Sequence, residues 1–383
     1  NKVLNVPHLR FPEFSGEWEI YPLTDFMSFK NGMNPDAKRF GSGTKFISVM
    51  DILNNQFICY DNIRASVEVV DGDIETYGVN YGDILFQRSS ETLEDVGQAN
   101  VYLDSKPAVF GGFVIRGKSK SNYYPMFFRY LLASPTARKK IIVKGAGAQH
   151  FNIGQDGLSK VCLNIPSIQE QEKIAKLFEC IDTRIATQNK IIEDLKKLKS
   201  AISLKMLHSD SWEQFKIQDI ASIGRGRVIS SVEISQQENP LYPVYSSQTS
   251  NDGIMGYLDD FMFEGEYISW TTDGANAGTV FYRNGKFNCT NVCGLLKLKK
   301  GFDAHFVSLV LAEATRMYVS TNLANPKLMN NTMGNIQIRL PKLEEQKRIS
   351  VVFRKLHGLL ETHNSLIIKY SKQKQYLLSQ MFI

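Results

Sequence analysis

The residues that could do covalent chemistry are easily counted, and none falls into a working pattern. The six histidines, His8, His150, His208, His305, His357 and His363, form no HExxH pair and no other metal-ligand spacing. Five cysteines, Cys59, Cys162, Cys180, Cys289 and Cys293, form no CxxC pair, and Cys289 and Cys293 read as packed thiols in a strand-like run. Gly145-Ala146-Gly147-Ala148 lacks a third glycine and runs into His150-Phe151-Asn152 where a phosphate-binding loop needs a helix. Methylation of an exocyclic base amine calls for Asn/Asp-Pro-Pro-aromatic. Here Asn34-Pro35, Asn239-Pro240 and Asn325-Pro326 each lack the second proline. The expectation is a chain with no catalytic residue, no metal and no cofactor of its own.

What remains are side chains suited to binding. Gln87, Arg88, Ser89 and Ser90 leave a strand-like run together, and these donors match purine edges and phosphate oxygens. Gly224-Arg225-Gly226-Arg227 brings two guanidiniums on a backbone able to approach phosphates. Lys144, Gln149 and His150 form another polar tip, as do Asn325 and Lys327. Trp270, Thr271, Thr272 and Asn276 are the later counterpart of the Gln87 loop, and Trp270 reads equally well as core. Ser48, after the run Lys45–Ile52, and Tyr245, Ser246 and Ser247, in the run Tyr242–Gln248, complete the candidate DNA contacts. Singly, each is as readily a solvated loop residue.

The elements behind these loops are written twice. Ile165–Leu207 recurs as Leu340–Phe382 at a constant offset of 175 residues, with 11 identities in 43 ungapped positions. The pairs include Pro166/Pro341, Glu170/Glu345, Gln171/Gln346, Ile174/Ile349 and Phe178/Phe353. Apolar residues recur on heptads: Ile174, Phe178, Ile181, Ile185, Ile192 and Leu195 in one copy, Ile349, Phe353, Leu356, Leu360, Ile367 and Leu377 in the other. Polar interruptions coincide, Gln188 with His363 and Lys199 with Lys374, so the two helices are expected to pair with each other. A helix of 35–40 residues would be roughly 52–60 Å long.

Each helix follows a stretch of short strand-like runs punctuated by Gly, Asn and Asp, which predicts a small, mostly β unit with some helix. Gly16–Phe26 echoes Asp210–Ile220, aligning Trp18 with Trp212. The predicted fold is α+β: two small globular domains, 1–164 and 209–340, alternating with long helices, 165–208 and 341–383, that pair as an antiparallel coiled coil about a pseudo-twofold.

At 383 residues, with 43% hydrophobic and 22% charged, the chain can bury more than one core. No apolar run reaches the roughly 18 residues of a membrane span, and Asn1–Phe11 has no signal-like apolar stretch. A cytoplasmic, reduced protein is expected, with its natural start upstream of Asn1. The net charge of +6 is uneven: +1 in 1–164, +2 in 165–208, −2 in 209–340 and +5 in 341–383. Neither large globular segment is basic overall, so bulk charge does not identify a nucleic-acid binder. A duplicated, non-catalytic layout suits an extended ligand with its own approximate dyads, and duplex DNA is the obvious one.

With the tandem layout and the repeated Pro-x-[Ile/Leu]-x-Glu-Gln-x-[Lys/Arg]-Ile starts, Pro166–Ile174 and Pro341–Ile349, the chain resembles the specificity subunit of type I restriction-modification systems. The resemblance covers essentially the whole chain. It implies that each recognition domain reads one half of a split DNA target, while the helix pair sets the spacing and docks two modification subunits. Those subunits would bind S-adenosylmethionine and methylate adenine, and restriction subunits would use ATP and Mg. Two other readings stay open: a scaffold of paired helices that binds protein, and a diverged single-chain nuclease or methyltransferase. The missing motifs speak against the latter.

Overall fold

The computed structural model describes residues 5–147, 150–320 and 325–383. The chain forms two compact units, Asn1–Lys190 with Asn364–Ile383 (unit 1) and Ile191–His363 (unit 2). Each is described by itself.

In unit 1 a four-stranded antiparallel sheet runs in the order Met27–Asn31, Val114–Ser119, Ile84–Gln87, Ala99–Val101. A three-stranded sheet orders Ala65–Val67, Phe40–Ile47, Val109–Phe110, the last pair parallel. Pro125–Ala133 and Pro135–Ile142 are helices with Pro at the first turn, where a missing N–H costs nothing. Ser134 caps the second, its Oγ accepting from Ala137 N at 3.2 Å. The ribbon Glu19–Pro22 with Cys162–Ile165 closes the unit and leads into the first long helix, Ile168–Met206.

Unit 2 repeats the plan. Its four-stranded sheet orders Ala221–Arg225, Cys293–Leu298, Tyr267–Thr271, Val280–Arg283. A second sheet orders Ile254–Leu258, Tyr242–Tyr245, Lys286–Cys289, Phe263–Glu264, with Tyr242–Tyr245 and Lys286–Cys289 parallel. The ribbon Glu213–Lys216 with Gln337–Leu340 leads into the second long helix, Leu343–Gln380. Register makes Phe86 equivalent to Trp270, since the first faces Ile115 and the second Gly294. Gly294 is glycine because a Cβ there would lie 2.3 Å from the Trp270 ring.

The repeated Pro–Glu–Gln start has a structural reason. Gln171 is buried; its Nε2 donates to Pro166 O at 3.0 Å and its Oε1 accepts from Tyr124 N at 3.0 Å. Gln346 does the same, donating to Pro341 O at 2.8 Å and accepting from Asp303 N at 2.9 Å. Each glutamine joins the long helix's first turn to the start of a helix in its own unit, satisfying end groups that would otherwise be buried unpaired.

The two helices run antiparallel in each unit. In unit 1, Phe178 lies 5.8 Å from Phe382 between ring centroids, Asp182 pairs with Lys374 at 2.6 Å, and the Arg184 guanidinium sits over Tyr370. Ascending residues of one helix thus meet descending residues of the other. In unit 2, Ile202, Met206 and Leu207 share a cluster with Ile349 and Phe353. Of the expected seam, Ile174, Phe178, Ile181, Ile192, Ile349, Phe353, Leu356 and Leu377 are buried, and Ile185, Leu195, Leu360 and Ile367 half-buried. The first turns also enter the globular cores: Ile174 and Phe178 pack with Trp18, Phe127 and Phe128. Among the described residues no helix is long and apolar enough to cross a membrane.

Candidate nucleic-acid interface

In unit 1 the strand Ile84–Gln87 is wholly buried and delivers its chain to one end of the sheet. There Arg88, half-exposed, donates its backbone N–H to Phe113 O at 2.9 Å and its Nη1 to Gly112 O at 3.2 Å. Ser89 and Ser90 pair with Phe151–Asn152, and Ile153 N donates to Arg88 O at 2.9 Å. Lys144 and His150 lie exposed on the segment leading into that pairing. Gly111 N donates to Ile47 O at 3.1 Å, which brings in the Ser48 corner. Ser89, Ser90, Arg88 and the described residues 144–147 and 150–152 therefore form one loop cluster, organised around Gly111–Phe113. Gln149 lies outside the described residues.

Unit 2 builds the same junction from different side chains. Thr272 N donates to Val292 O at 3.2 Å and Leu328 N to Thr272 O at 2.8 Å, as Arg88 and Ile153 do in unit 1. Thr290 N donates to Tyr245 O at 2.9 Å, matching Gly111 and Ile47. Gly274 N reaches Pro326 O at 3.0 Å, so the loops of Asn276 and of Asn325 and Lys327, all three exposed, lie together. Arg225 joins them, its Nε donating to Asn330 Oδ1 at 3.0 Å.

Several expectations need correction. Gln87, Trp270, Thr271 and Thr272 are buried and present no side-chain edge to a ligand. The Gln87 amide folds back onto Ser89 O at 2.9 Å. Trp270 is core, its Nε1 donating to Leu328 O at 2.9 Å, and the Thr272 hydroxyl donates to Val292 O at 3.0 Å. Ser48 caps the helix Val49–Asn54, its N–H and Oγ both donating to Asp51 Oδ2 at 2.7 Å. Tyr245 is half-buried with the Arg283 guanidinium 3.6 Å over its ring, and the Ser246 hydroxyl accepts from Gln248 N at 3.4 Å. Ser247 beside it is half-exposed, as Ser89 and Ser90 are, and stays among the candidates.

Gly226 does not free its loop to approach phosphate: a Cβ there would lie 1.6 Å from Cys289 O, so its smallness serves internal packing. At the equivalent Gly32 a Cβ would lie 2.0 Å from Gly111 O. Arg227 is already engaged, Nη1 donating to Glu233 Oε2 at 2.9 Å, and this pairing raises the arginine's pKa and lowers that of the glutamate. That leaves Arg88, Ser89, Ser90, Lys144 and His150 in unit 1, and Arg225, Ser247, Asn276, Asn325 and Lys327 in unit 2, with exposed or half-exposed donors. Sequence reasoning missed Phe113, 69% exposed beside Arg88, and Asn330, which orients Arg225. Phe113 follows Gly111-Gly112, and an aromatic on a glycine-rich tip was the available signal.

These clusters combine guanidinium, ammonium and amide donors with an exposed ring, the chemistry that contacts phosphates and base edges. The chain matches the family model described as "Type I restriction modification DNA specificity domain" over residues 15–197 and 209–369, one match per repeat. A putative type I specificity subunit of Mycoplasma pneumoniae is 35% identical over 233 residues, covering 59% of this chain and 97% of that protein. The specificity subunit of the type I restriction enzyme MpnII of the same organism is 41% identical over 177 residues, 45% of this chain and 53% of that one. Among solved structures, the type I S subunit from M. genitalium superposes with a TM-score of 0.67 at 15% identity, covering 99% of both chains. That likeness shows the fold. The chain belongs to the type I restriction-modification DNA specificity family, whose domains recognise DNA by sequence.

Proposed function

We propose that the two loop clusters each read one half of a bipartite duplex target, and that the long helices fix the distance between half-sites. The observation that carries this reading is the repeated junction. The same backbone pairings, Arg88–Phe113 and Thr272–Val292, present different exposed side chains in the two units. A shared scaffold with divergent tips suits two related sites that read different bases. The chain itself would be non-catalytic. Two modification subunits, docked on the helix pair, would supply S-adenosylmethionine chemistry, and restriction subunits would supply ATP- and Mg-dependent steps in a cytoplasmic complex.

Selection of duplexes from a random library by the chain assembled with its modification subunits tests this. The expected winners carry two short specified blocks separated by a fixed unspecified spacer. Matched four-residue insertions within 187–192 and 362–367 would lengthen each helix by about 6 Å and should lengthen that spacer while leaving both blocks unchanged. A single contiguous block, or a folded insertion variant with the original spacer, would contradict the reading.

A further inference from the structure

Unit 2 has an open groove of about 1160 Å³ between the ends of its two long-helix segments and its first ribbon. Trp212, Phe302, Glu345, Arg348 and Val352 line it, with Trp212 half-exposed and Glu345 and Arg348 exposed. In unit 1 the equivalent surface is covered by the chain's own segment Asn5–Gly16. Arg10 forms a bidentate pair with Glu170, Nε to Oε1 at 2.7 Å and Nη2 to Oε2 at 2.8 Å. The rest of the arginine's fork is also used, Nη1 donating to Gly16 O at 2.5 Å and Nη2 to Ser15 O at 3.2 Å. Lys173 pairs with Glu13, and its ammonium lies 4.9 Å over the Phe11 ring. Leu9 N donates to Gln380 O at 3.0 Å and Trp18 N to Asn5 O at 2.8 Å.

The residues that receive this arm recur in unit 2. At the offset of 175, Glu170 corresponds to Glu345, Lys173 to Arg348 and Gln380 to Lys205, and Trp18 corresponds to Trp212 by ribbon register. All four counterparts line the open groove. Covering leaves its mark: Glu170 and Trp18 are each 1% exposed, whereas their counterparts face solvent. Unit 2 has no chain to spare for the task, because only residues 207–212 separate the end of the helix from the ribbon. The groove's charges are mixed, Glu213, Glu344 and Glu345 against Lys205, Lys342 and Arg348. The Glu345 carboxylate beside the Arg348 guanidinium, as in the Glu170 and Lys173 pair that holds the arm, therefore specifies the occupant rather than net charge.

We propose that this groove receives an extended arm from a protein partner, carrying an arginine that pairs with Glu345 and an aromatic ring that packs against Arg348. Planar bidentate recognition makes the arginine the specifying residue, and lysine is a poor substitute. This goes beyond the reading of DNA and requires none.

A fluorescein-labelled peptide of sequence NVPHLRFPEFSG, titrated into the full chain without DNA, is the probe. Saturable binding of one peptide per chain is expected, weakened tenfold or more by Glu345→Lys or Arg348→Glu in the protein and by Arg10→Glu in the peptide. Thermal melts of the two exposed-site variants establish that they fold. A peptide with benzoylphenylalanine at the Phe11 position should photocrosslink to residues 205–215 or 340–352. Absence of saturable binding, insensitivity to Glu345→Lys, or crosslinks confined to 165–178 would overturn the proposal. A concentration-dependent dimer of the full chain lost on Glu345→Lys would also overturn it, by giving the groove to a second copy.

Discussion

Units 1 and 2 share sheet order, ribbon and helix start, yet they bury different things at matching positions. Unit 1 stacks Phe178 on Tyr130, with centroids 4.9 Å apart, and sets Phe382 tilted against it. The counterpart Phe353 sits among Ile217, Ile349 and other largely aliphatic neighbours. Unit 1 places a nearly buried carboxylate, Asp182, between Lys374 at 2.6 Å and the Tyr130 hydroxyl at 2.8 Å. At the matching position unit 2 has His357, exposed and paired with the exposed Glu361. Unit 2 instead half-buries His305, whose Nδ1 lies 2.9 Å from Ser350 Oγ. The backbone scaffold is thus fixed by a few repeated residues, and the polar centres beneath it have drifted independently.

Truncating the two phenylalanines should cause the largest losses of stability in either unit. Phe→Ala in a core costs about 3–5 kcal/mol, and aromatic pairs add about 0.5–1.5 kcal/mol beyond burial. Phe178→Ala should therefore lower urea stability by about 1 kcal/mol more than Phe353→Ala. Equal losses would remove the aromatic stack as a distinction. Next, Asp182→Ala leaves Lys374 and Tyr130 facing a gap and should cost about 2–4 kcal/mol, whereas His357→Ala should stay within about 0.5 kcal/mol. Calorimetry of both variants decides this, and a neutral Asp182→Ala would show the ion pair to be ornamental.

His305 provides a pH-dependent difference. Burial first, then the Arg354 guanidinium, hold its pKa down to about 4 against Asp303, which raises it, while His357 and Lys199 lower it further. Between pH 6.5 and 4 the unfolded chain binds a proton that the folded chain does not. This contribution is complete above pH 6.5 and is lost as pH falls toward 4. Allowing for partial exposure, it amounts to roughly 1–2 kcal/mol. His305→Gln should flatten the stability of unit 2 across that window; an unchanged slope would assign the dependence to carboxylates. Smallest of all, Arg88→Ala should weaken DNA binding by about 1 kcal/mol, with the salt slope shallower by about one if its contact is to phosphate. Arg225→Ala should do the same and also lower stability slightly, since Asn330 loses its partner. Unchanged affinity in both would take these loops out of the interface.

The duplication was legible because it rests on local needs. A buried glutamine that must satisfy a helix end recurs with its proline and glutamate, and heptad positions recur with the seam. The loops were legible in residue type but not in exposure. Strand alternation suggests that of Trp270, Thr271 and Thr272 some face outward, yet the turns at 290–292 and 325–328 cover both faces. Those covers come from far along the chain, where periodicity carries no information. The same holds for Asn5–Gly16, whose role depends on Glu170, 160 residues from Arg10.

The central claim, that two homologous units read independently, is tested most directly by replacing residues 209–340 with the corresponding segment of a relative and sequencing the methylated sites of a host carrying the system. One half of the methylated sequence should change while the other half and the spacer length persist. A change in both halves together, or in neither, would contradict the account.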